Sequence, residues 1–348
     1  MIQFDRSKIE AAAALVGEKT HLDALHAHLP EYFQADVENG LSKGGPLPFR
    51  AAVFNMEQGT RLKYIIPFFQ CHPQLRNVDV ILANELDAGM ARSGNLDTTR
   101  EIAKALGMNY VYGIEFITRK AGQNGNTQGL HGNAILSRFP LHNCKVVPLP
   151  IQFDWFYMPG DSRLGVRNAI LTEAEVAPGK RVGLVSVHLE NRATPQERLR
   201  QMKFLLDEVE QHFGDLPVLI GGNMNTNTVS GNTPGSMEYL EEHPQEQLRR
   251  LGDIPNIEPL MDHAAQRGFS YSDCNLINKV TRRKPMPGGA VVELNLDWFF
   301  QRGLKCSQPE RVETILRIKD LENPPAYLAD FEGKELSDHD AVTVVVEC

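Results

Sequence analysis

Six apolar segments of the sequence end in side chains that can hold a metal ion or move a proton. In chain order these side chains are Asn55, Glu85, His188, Asn223 with Asn225, Asp297, and Asp338 with His339. Carboxylate and amide oxygens are ligands that Mg²⁺ prefers, and imidazoles exchange protons near neutral pH. One asparagine or aspartate after a strand is usually a turn residue or a helix cap, but six such segment ends together predict a common site.

Short apolar runs indicate the strands that must bring these side chains to one edge of the protein. The predicted strands are 51–54, 78–83, 110–116, 134–137, 168–173, 181–187, 216–220, 294–300 and 341–346. The spacing of apolar residues predicts helices at 97–106 and 195–212. This density of strands favours an α/β fold in which two sheets pack together and helices flank them.

The sequence divides into one main domain with two additions. We predict an N-terminal helical extension over residues 1–48, in which helical spacing over 6–29 is closed by Pro30. The main domain covers residues 49–348. Within it, residues 228–289 are rich in proline, glycine and charge and interrupt the strand pattern, so we predict an insertion there that selects the substrate.

Charge and cysteine content exclude several classes of protein. The 348 residues carry a formal net charge of −8, which argues against a broad basic surface for extended nucleic acid, because phosphate neutralisation supplies most non-specific affinity. The five cysteines are scattered and show no C-x-x-C spacing, so neither a disulfide framework nor a zinc site is predicted. Since no run of eighteen apolar residues occurs, we expect a cytoplasmic protein without a membrane span.

The order and local sequence of the six segments resemble the endonuclease/exonuclease/phosphatase superfamily. The matching motifs are Asn55 and Glu85 after the first two strands, His188-Leu189, Gly222-Asn223-Met224-Asn225 where the family has G-D-x-N, Asp297 in an aromatic strand, and Ser337-Asp338-His339. The stretch GNAILSRFPL at 132–141 is also typical of the family. The resemblance covers about residues 49–348. It implies a four-layer α/β sandwich, with two mostly antiparallel sheets face to face and helices outside, that hydrolyses a phosphate ester with a divalent metal.

The resemblance also implies where the metal and the phosphate bind. Asn55 and Glu85 would hold Mg²⁺ (or Mn²⁺), with Asp338 as an additional or water-mediated ligand. His339, oriented by a hydrogen bond with Asp297, would contact the scissile phosphate and help activate water or stabilise the transition state.

Further side chains are predicted to contact the substrate. His188 would donate a hydrogen bond to a non-bridging oxygen or to the leaving group, and Asn225 would hold the phosphate. Arg167 and Asn191 are predicted to bind the anionic substrate, although a solvated arginine at a strand end fits Arg167 equally well. For Arg198, a structural salt bridge is favoured over substrate contact.

Asn223 departs from the family motif, which has an aspartate at this position. An amide accepts a hydrogen bond from the attacking water but cannot take its proton, and loss of a general base costs about 10² to 10⁴ in rate. Three accounts follow: an enzyme in which His339 or a metal-bound hydroxide supplies the base, a ligand-binding relative that has lost most turnover, and a substitution engineered to trap substrate. Because the other motif residues are all present, we favour an enzyme.

The substrate is predicted only as a class. A phosphate mono- or diester of a small or lipid-like molecule is favoured, with an endo- or exonuclease as the alternative. The segment TRRKP at 281–285 is the one compact basic cluster, and it fits a phosphorylated headgroup, a nucleic-acid backbone or, best, a solvated loop. Aromatic residues at 153–157 favour an apolar lip beside the site. The sequence does not predict an oligomeric state.

Overall fold

Two large sheets and one hairpin form the framework of the computed structural model, which describes residues 3–119, 125–227 and 236–348. The strands are β1 (Asp36–Glu38), β2 (Phe49–Gln58), β3 (Val80–Ala88), β4 (Asn109–Thr118), β5 (Leu130–Ser137), β6 (Leu141–Pro148), β7 (Arg163–Gly165), β8 (Asn168–Ala177), β9 (Lys180–His188), β10 (Val218–Asn223), β11 (Arg282–Pro285), β12 (Val291–Leu294), β13 (Asp297–Arg302), β14 (Lys305–Val312) and β15 (Ala341–Glu347). The helices are α1 (Arg6–Leu15), α2 (His21–His28), α3 (Leu62–Cys71), α4 (Thr98–Leu106), α5 (Pro195–Phe213), α6 (Met237–Glu242), α7 (Pro244–Leu251), α8 (Ile254–Ile257) and α9 (Pro259–Gln266).

The large sheet has the strand order β1-β4-β5-β3-β2-β15-β14, with β7 paired to β4, and the small sheet has the order β13-β10-β9-β8-β6. The pairs β2–β3 and β9–β10 are parallel, and the other pairs in both sheets are antiparallel. The carboxyl ends of the two parallel pairs carry Asn55, Glu85, His188 and Asn223.

Three apolar cores separate four layers. Val53 and Leu82 of the large sheet are buried in one cluster with Leu219 and Phe299 of the small sheet. The outer face of the large sheet packs on α3 and α4, and the outer face of the small sheet packs on α5 and α9. Each sheet thus buries both faces, which confirms the predicted sandwich of two mostly antiparallel sheets with helices outside.

Two predicted elements are each divided in the structure. The helical pattern over 6–29 forms α1 and α2 separately, because Gly17 between them adopts φ 105°, a left-handed conformation that ends a helix. The predicted strand 294–300 is also divided. The amide N–H of Leu296 donates to Thr281 Oγ1 at 2.8 Å, and the chain passes there from β12 of the hairpin to β13 of the small sheet.

Other elements were missed because their sequence patterns are weak. The alternating polar residues of β6 and β14 obscure two strands at sheet edges, and Pro67 lies inside α3, where a proline normally argues against a helix. In the predicted insertion, residues 228–235 lie outside the described residues. The rest of it contains α6 to α9 and the β11–β12 hairpin, and its role in substrate selection stays a prediction.

The segment before residue 49 packs against the main domain. Ile9, Leu25 and Tyr32 are buried in the core that covers the outer face of the large sheet, and β1 pairs with β4. The domain boundary at residue 48 stays a prediction. In the described part of the chain, the longest apolar helical stretches fall short of what a membrane crossing requires.

Arg198 of α5 forms an ion pair with Glu258, next to α9, as the structural interpretation of Arg198 predicted. Both side chains are fully buried, and Arg198 Nε and Nη2 donate to the two Glu258 carboxylate oxygens at 3.0 and 2.5 Å. Since Glu258→Gln leaves a buried guanidinium uncompensated, we expect the free energy of unfolding in urea to fall by about 3 to 5 kcal/mol. Glu246→Gln, at an exposed pair with Arg249, is the matched control and should change it little. An equal effect of the two substitutions would contradict the interpretation.

Candidate active site

Strand register places three predicted residues next to one another at an edge of the small sheet. His188 is the partner of Asn223 in the parallel pair β9–β10, and Asp297 is the partner of Asn223 in the antiparallel pair β10–β13. Neighbouring strands lie about 4.8 Å apart, so the three residues occupy adjacent positions. Each is at most 2% exposed.

The large sheet contributes Asn55 and Glu85 from its parallel pair. A register shift between Ala83 and Leu86 and a φ of 56° at Glu85 interrupt the regular ladder of β3 and redirect this side chain. The Asn55 Nδ2 group donates to Glu85 Oε1 at 3.1 Å, while Asn55 Oδ1 accepts from the Glu57 amide at 3.1 Å. Asn55 therefore fixes the direction of the Glu85 carboxylate.

Glu85 is ionised at neutral pH despite its surroundings. Burial raises the pKa of this carboxyl, but the imidazoles of His188 and His131, the hydrogen bond from Asn55 and the imidazole of His339 outweigh burial, so that its pKa is lowered. The Glu85 carboxylate is thus a negative charge that lies among a hydrogen-bond donor and three imidazoles.

His339 is held from both its backbone and its ring. Its Nδ1 lies 2.8 Å from Asp297 Oδ2, and its amide donates to Ser337 Oγ at 3.1 Å. Ser337 Oγ in turn donates to the backbone carbonyl of Asn55 at 2.7 Å, which ties this loop to the end of β2. Burial opposes protonation, but the carboxylates of Asp297 and Asp338 raise the pKa of His339.

The second oxygen of Asp297 has unused hydrogen-bonding capacity. Asp297 Oδ1 is buried and accepts no hydrogen bond from the described residues. Buried carboxylate oxygens are normally satisfied, so this oxygen marks a point at which the site can receive another proton donor.

His188 belongs to a buried network of charges that the sequence did not predict. Arg167 Nη1 lies 2.7 Å from Glu115 Oε1 and 3.0 Å from His188 Nδ1, and Arg167 Nε donates to Glu190 at 3.1 Å. Burial and the Arg167 charge lower the pKa of His188 although Glu115 opposes them, and the pKa of Glu115 is lowered to about 2, since Arg167 and His188 outweigh its burial. The imidazole of His188 is therefore neutral at physiological pH.

These contacts change the interpretation of Arg167. Its side chain is 6% exposed and its charge is balanced by Glu115 and Glu190, whereas a substrate-binding cation at a strand end would be accessible. Arg167 Nη2 also donates to Asn191 Oδ1, at 3.4 Å. The structure thus excludes the solvated arginine, and the binding of substrate by Arg167 stays a prediction.

Asn223 and Asn225 are held by a tight turn after β10. The Asn225 amide donates to Asn223 Oδ1 at 2.9 Å, and Asn225 Nδ2 donates to the Leu189 carbonyl at 2.8 Å. Gly222 makes this approach feasible, since its φ is 146° and a Cβ there would lie 1.9 Å from the Val187 carbonyl oxygen. The Asn223 side chain therefore lies beside His188 and keeps its amide in a fixed orientation.

Asp338 has a partner that its predicted role as a metal ligand did not include. Arg282 Nε and Nη2 donate to Asp338 Oδ2 at 3.0 and 2.7 Å, and the Asp338 amide donates to Glu57 Oε2 at 3.2 Å. Asp338 Oδ1 lies 3.9 Å from His339 Nε2. These contacts join Asp338 to the hairpin and to His339, and its role towards a metal stays a prediction.

Two further groups at the site escaped the sequence analysis. Asn84, next to Glu85, accepts the Asn223 amide at 2.8 Å and donates to the Val187 carbonyl at 3.1 Å, so one side chain bridges the two sheets. Asp87 lies 2.8 Å from His131 Nδ1 and also binds Arg92. Both residues are close to Glu85 in the sequence, but only the folded chain shows the contacts that they make.

The aromatic segment at 153–157 lies beside this network and is partly buried. Trp155 and Phe156 are buried, and Trp155 Nε1 donates to Glu190 Oε2 at 2.9 Å. Tyr157 is 62% exposed. The predicted apolar lip is therefore wrong for Trp155 and Phe156, and it stays a prediction for the half-buried Phe153 and the exposed Tyr157.

The donor set at Glu85 fits a hard divalent cation. Glu85 is ionised and its Oε2 accepts no hydrogen bond from the described residues, so one carboxylate oxygen is open to a ligand next to the Asn55 amide. Among the described residues, three His, Cys, Asp or Glu side chains converge within 4.8 Å at Asp273, Cys274 and Cys306, none of which is a predicted site residue. A site with one carboxylate ligand suits Mg²⁺, because this ion keeps water molecules at several of its coordination positions.

Comparison with known proteins identifies the family and the fold. A model of the family described as "Endonuclease/Exonuclease/phosphatase family" matches residues 52–283. A comparison with curated protein sequences finds no significant match.

Solved structures of the same fold include an endonuclease/exonuclease/phosphatase from Beutenbergia cavernae, with a TM-score of 0.52 and 16% identity over 86% of this chain and 71% of that one. A family protein from Leptotrichia buccalis has a TM-score of 0.52 and 12% identity over 86% of this chain and 100% of that chain. A mannosyl-6-phosphatase from Bacteroides thetaiotaomicron has a TM-score of 0.50 and 12% identity, over the same shares of the two chains. With the family model covering most of the main domain, the chain belongs to the endonuclease/exonuclease/phosphatase family.

Proposed function

We propose that this protein is a Mg²⁺- or Mn²⁺-dependent phosphoesterase that acts on a small phosphorylated substrate. Members of the family hydrolyse phosphate esters. The observation that carries the proposal is that an ionised Glu85, steered by Asn55, shares one site with the Asp297–His339 pair and with His188. Phosphoryl transfer depends mostly on positioning and charge neutralisation, which this set of groups supplies.

Glu85 and Asn55 are the residues that would hold the metal. A divalent cation bound there would withdraw charge from the phosphate and orient it. Asn55 keeps the Glu85 carboxylate in one direction through its 3.1 Å hydrogen bond, so the cation would not have to reorganise the side chain. Asp338 is the weaker candidate because one of its oxygens binds Arg282.

His339 stabilises negative charge on the phosphate. Asp297 holds its Nδ1, which leaves Nε2 as the atom that faces a substrate, and the raised pKa keeps the imidazolium form available at neutral pH. A protonated His339 donates a hydrogen bond to a phosphoryl oxygen, and it is a poor base for the attacking water. Of the two sources of base considered for this enzyme, His339 is therefore the less suitable.

His188 and the asparagines position the phosphate and the water. A neutral imidazole donates through one N–H, and Arg167 behind His188 keeps it neutral and correctly placed. Asn223 accepts a hydrogen bond from the attacking water through its remaining lone pair, and the amides of Asn225 and Asn191 would hold the phosphate. Asn223 takes no proton, so we infer that turnover is slow.

The metal requirement gives the first test. We expect hydrolysis of bis(p-nitrophenyl) phosphate or p-nitrophenyl phosphate to stop with EDTA and to return with Mg²⁺ or Mn²⁺. Glu85→Gln keeps the acceptor for Asn55 but removes the charge, so Mn²⁺ binding, measured by water-proton relaxation, should weaken by at least about tenfold.

The control for that test is Glu10→Gln on the exposed face of α1, which should bind Mn²⁺ as the unaltered protein does. Equal Mn²⁺ affinity in Glu85→Gln would reject Glu85 as the ligand. Rapid cleavage of single- or double-stranded DNA, with binding that weakens steeply with salt, would instead identify a nuclease. Binding of phosphate esters without turnover in any variant would identify a ligand-binding relative.

A further inference from the structure

The basic segment at 281–285 is fixed to the site by the β11–β12 hairpin. Residue Arg282 forms a β-bridge with His339, the Asp340 amide donates to the Thr281 carbonyl at 2.7 Å, and the Arg283 amide donates to the Asp338 carbonyl at 3.3 Å. The hairpin is thus hydrogen-bonded through its backbone to the segment that carries His339. The solvated loop favoured from the sequence is wrong, because these residues form a strand.

The side chains of β11 alternate between two faces, and only one face is fully neutralised. Arg283 binds the buried Asp340 through Nη1 and Nη2 at 2.8 and 2.6 Å, and it also binds Glu335. Arg282 and Lys284, two residues apart in the strand, share the opposite face. Arg282 binds Asp338, which places this face towards the site.

Lys284 is a half-buried cation whose nearest polar partner is a thioether. Its Nζ lies 3.2 Å from Met237 Sδ, and among the described residues no carboxylate lies within salt-bridge distance of it. Burial and the charges of Arg282 and Arg192 lower the pKa of Lys284, while Glu238 and Asp338 act on it in the opposite direction. A cation kept partly out of water without a carboxylate costs folding free energy, and such groups are frequent at binding sites.

Arg192 supplies a second cation on the same rim. It follows His188 by four residues, is exposed, and its guanidinium lies 5.0 Å from the ring centre of Phe153 and 5.3 Å from that of Trp155. Its guanidinium makes no ion pair within the described part of the chain. The loop after β9 and the hairpin both border the site, because Arg192 closely follows His188 at the end of β9 and Arg282 of β11 pairs with His339.

This cluster, Arg192, Arg282 and Lys284, fits one compact anion. Guanidinium and ammonium groups donate charge-assisted hydrogen bonds to phosphate oxygens, and the cluster is local in a chain of net charge −8. A long polyanion is bound through many phosphate contacts, whereas this cluster of described residues offers three cations. A single phosphate matches both the number of cations and their position next to His339.

We propose that the substrate carries a second phosphate, which binds at Lys284 and Arg192 while the scissile ester lies at His339. This inference rests on the proposed function, since it assigns that phosphoesterase to substrates with two phosphate groups. Arg282 holds Asp338 and borders the second phosphate. The experiment below decides whether the molecule that carries the two phosphates is a polyol or a nucleoside.

The test compares ligands that differ by one phosphate. With Mg²⁺ in excess, 2,3-bisphosphoglycerate is set against 3-phosphoglycerate, and adenosine 3′,5′-bisphosphate against AMP, as inhibitors of bis(p-nitrophenyl) phosphate hydrolysis. In at least one pair we expect the bisphosphate to inhibit at about tenfold lower concentration. Lys284→Met, which keeps the length and removes the charge, should abolish that advantage.

The control is Lys279→Met, five residues away and exposed, which should keep the tenfold ratio. An equal ratio in Lys284→Met and the unaltered protein, or no preference for either bisphosphate, would overturn the proposal. Calorimetry of the binding of the same four compounds tests the second phosphate site separately from the proposed phosphoesterase function. If nothing is hydrolysed but the Lys284-dependent preference is present, the proposed function fails and the second phosphate site stands.

Discussion

His339→Ala is expected to lower kcat/KM for the hydrolysis of bis(p-nitrophenyl) phosphate by about 10³-fold. Removal of a group that donates to charge developing in a transition state typically costs 10² to 10³, and loss of general acid–base assistance costs 10² to 10⁴. The imidazole of His339 is a group of this kind, because Asp297 Oδ2 lies 2.8 Å from its Nδ1 and the carboxylates of Asp297 and Asp338 raise its pKa despite its burial. The measurement is steady-state kinetics at saturating Mg²⁺.

Two variants make that result specific. Asp297→Asn keeps a hydrogen-bonding side chain but removes the charge behind His339, so it should lower kcat by less than His339→Ala and leave KM nearly unchanged. His26→Ala, on the exposed surface of α2, should have no effect. If His339→Ala retains more than a tenth of the activity while its circular dichroism is unaltered, His339 is not a catalytic residue.

Asn223→Asp is expected to raise kcat by about 10² to 10⁴, the range associated with a positioned general base. A carboxylate at this position can still accept the Asn225 amide, now at 2.9 Å, and its second oxygen can take a proton from water. The backbone is not disturbed, because the residue 223 amide donates to Asn84 Oδ1 whichever side chain it carries. The added negative charge, on a residue whose amide binds the Asn84 side chain next to Glu85, also favours binding of a divalent cation.

Asn227→Asp is the matched control for this gain. It makes the same chemical change four residues later, where the Asn227 side chain accepts from Arg250 at 2.8 Å, and we expect no increase in kcat. A gain in Asn223→Asp alone would favour a chain whose base has been removed, by engineering or otherwise. An unchanged or lower kcat would favour an enzyme in which Asn223 orients the water and another group supplies the base.

The sandwich and the strand ends were predictable from sequence because their signals are local. An apolar run that is followed at once by Asn55, Glu85 or His188 predicts both the strand and the polar residue at its end. The parallel pairs β2–β3 and β9–β10 then bring such ends together whatever lies between them. The roles of these residues in catalysis stay predictions.

The remaining parts of the site depend on contacts between distant segments. Glu115 and Arg167 are 52 residues apart and each has an ordinary sequence context, so only the folded chain reveals their 2.7 Å contact. The helices α6 to α9 were hidden by the proline and glycine content of their segment, and Lys284 looked like part of a solvated basic loop. Its unusual environment becomes evident only when β11 pairs with β12.

The bridge that Asn84 makes between the sheets has a consequence for synthesis of the protein in the cell. Glu85 belongs to one sheet and His188 to the other, and Asp297 and His339 are added only from the last sixth of the chain. A nascent chain, or one that has folded a single sheet, therefore does not yet hold the complete set of proposed site residues. The proposed site is therefore assembled only when the two sheets pack together and bury the intersheet core, so an incompletely folded molecule lacks it.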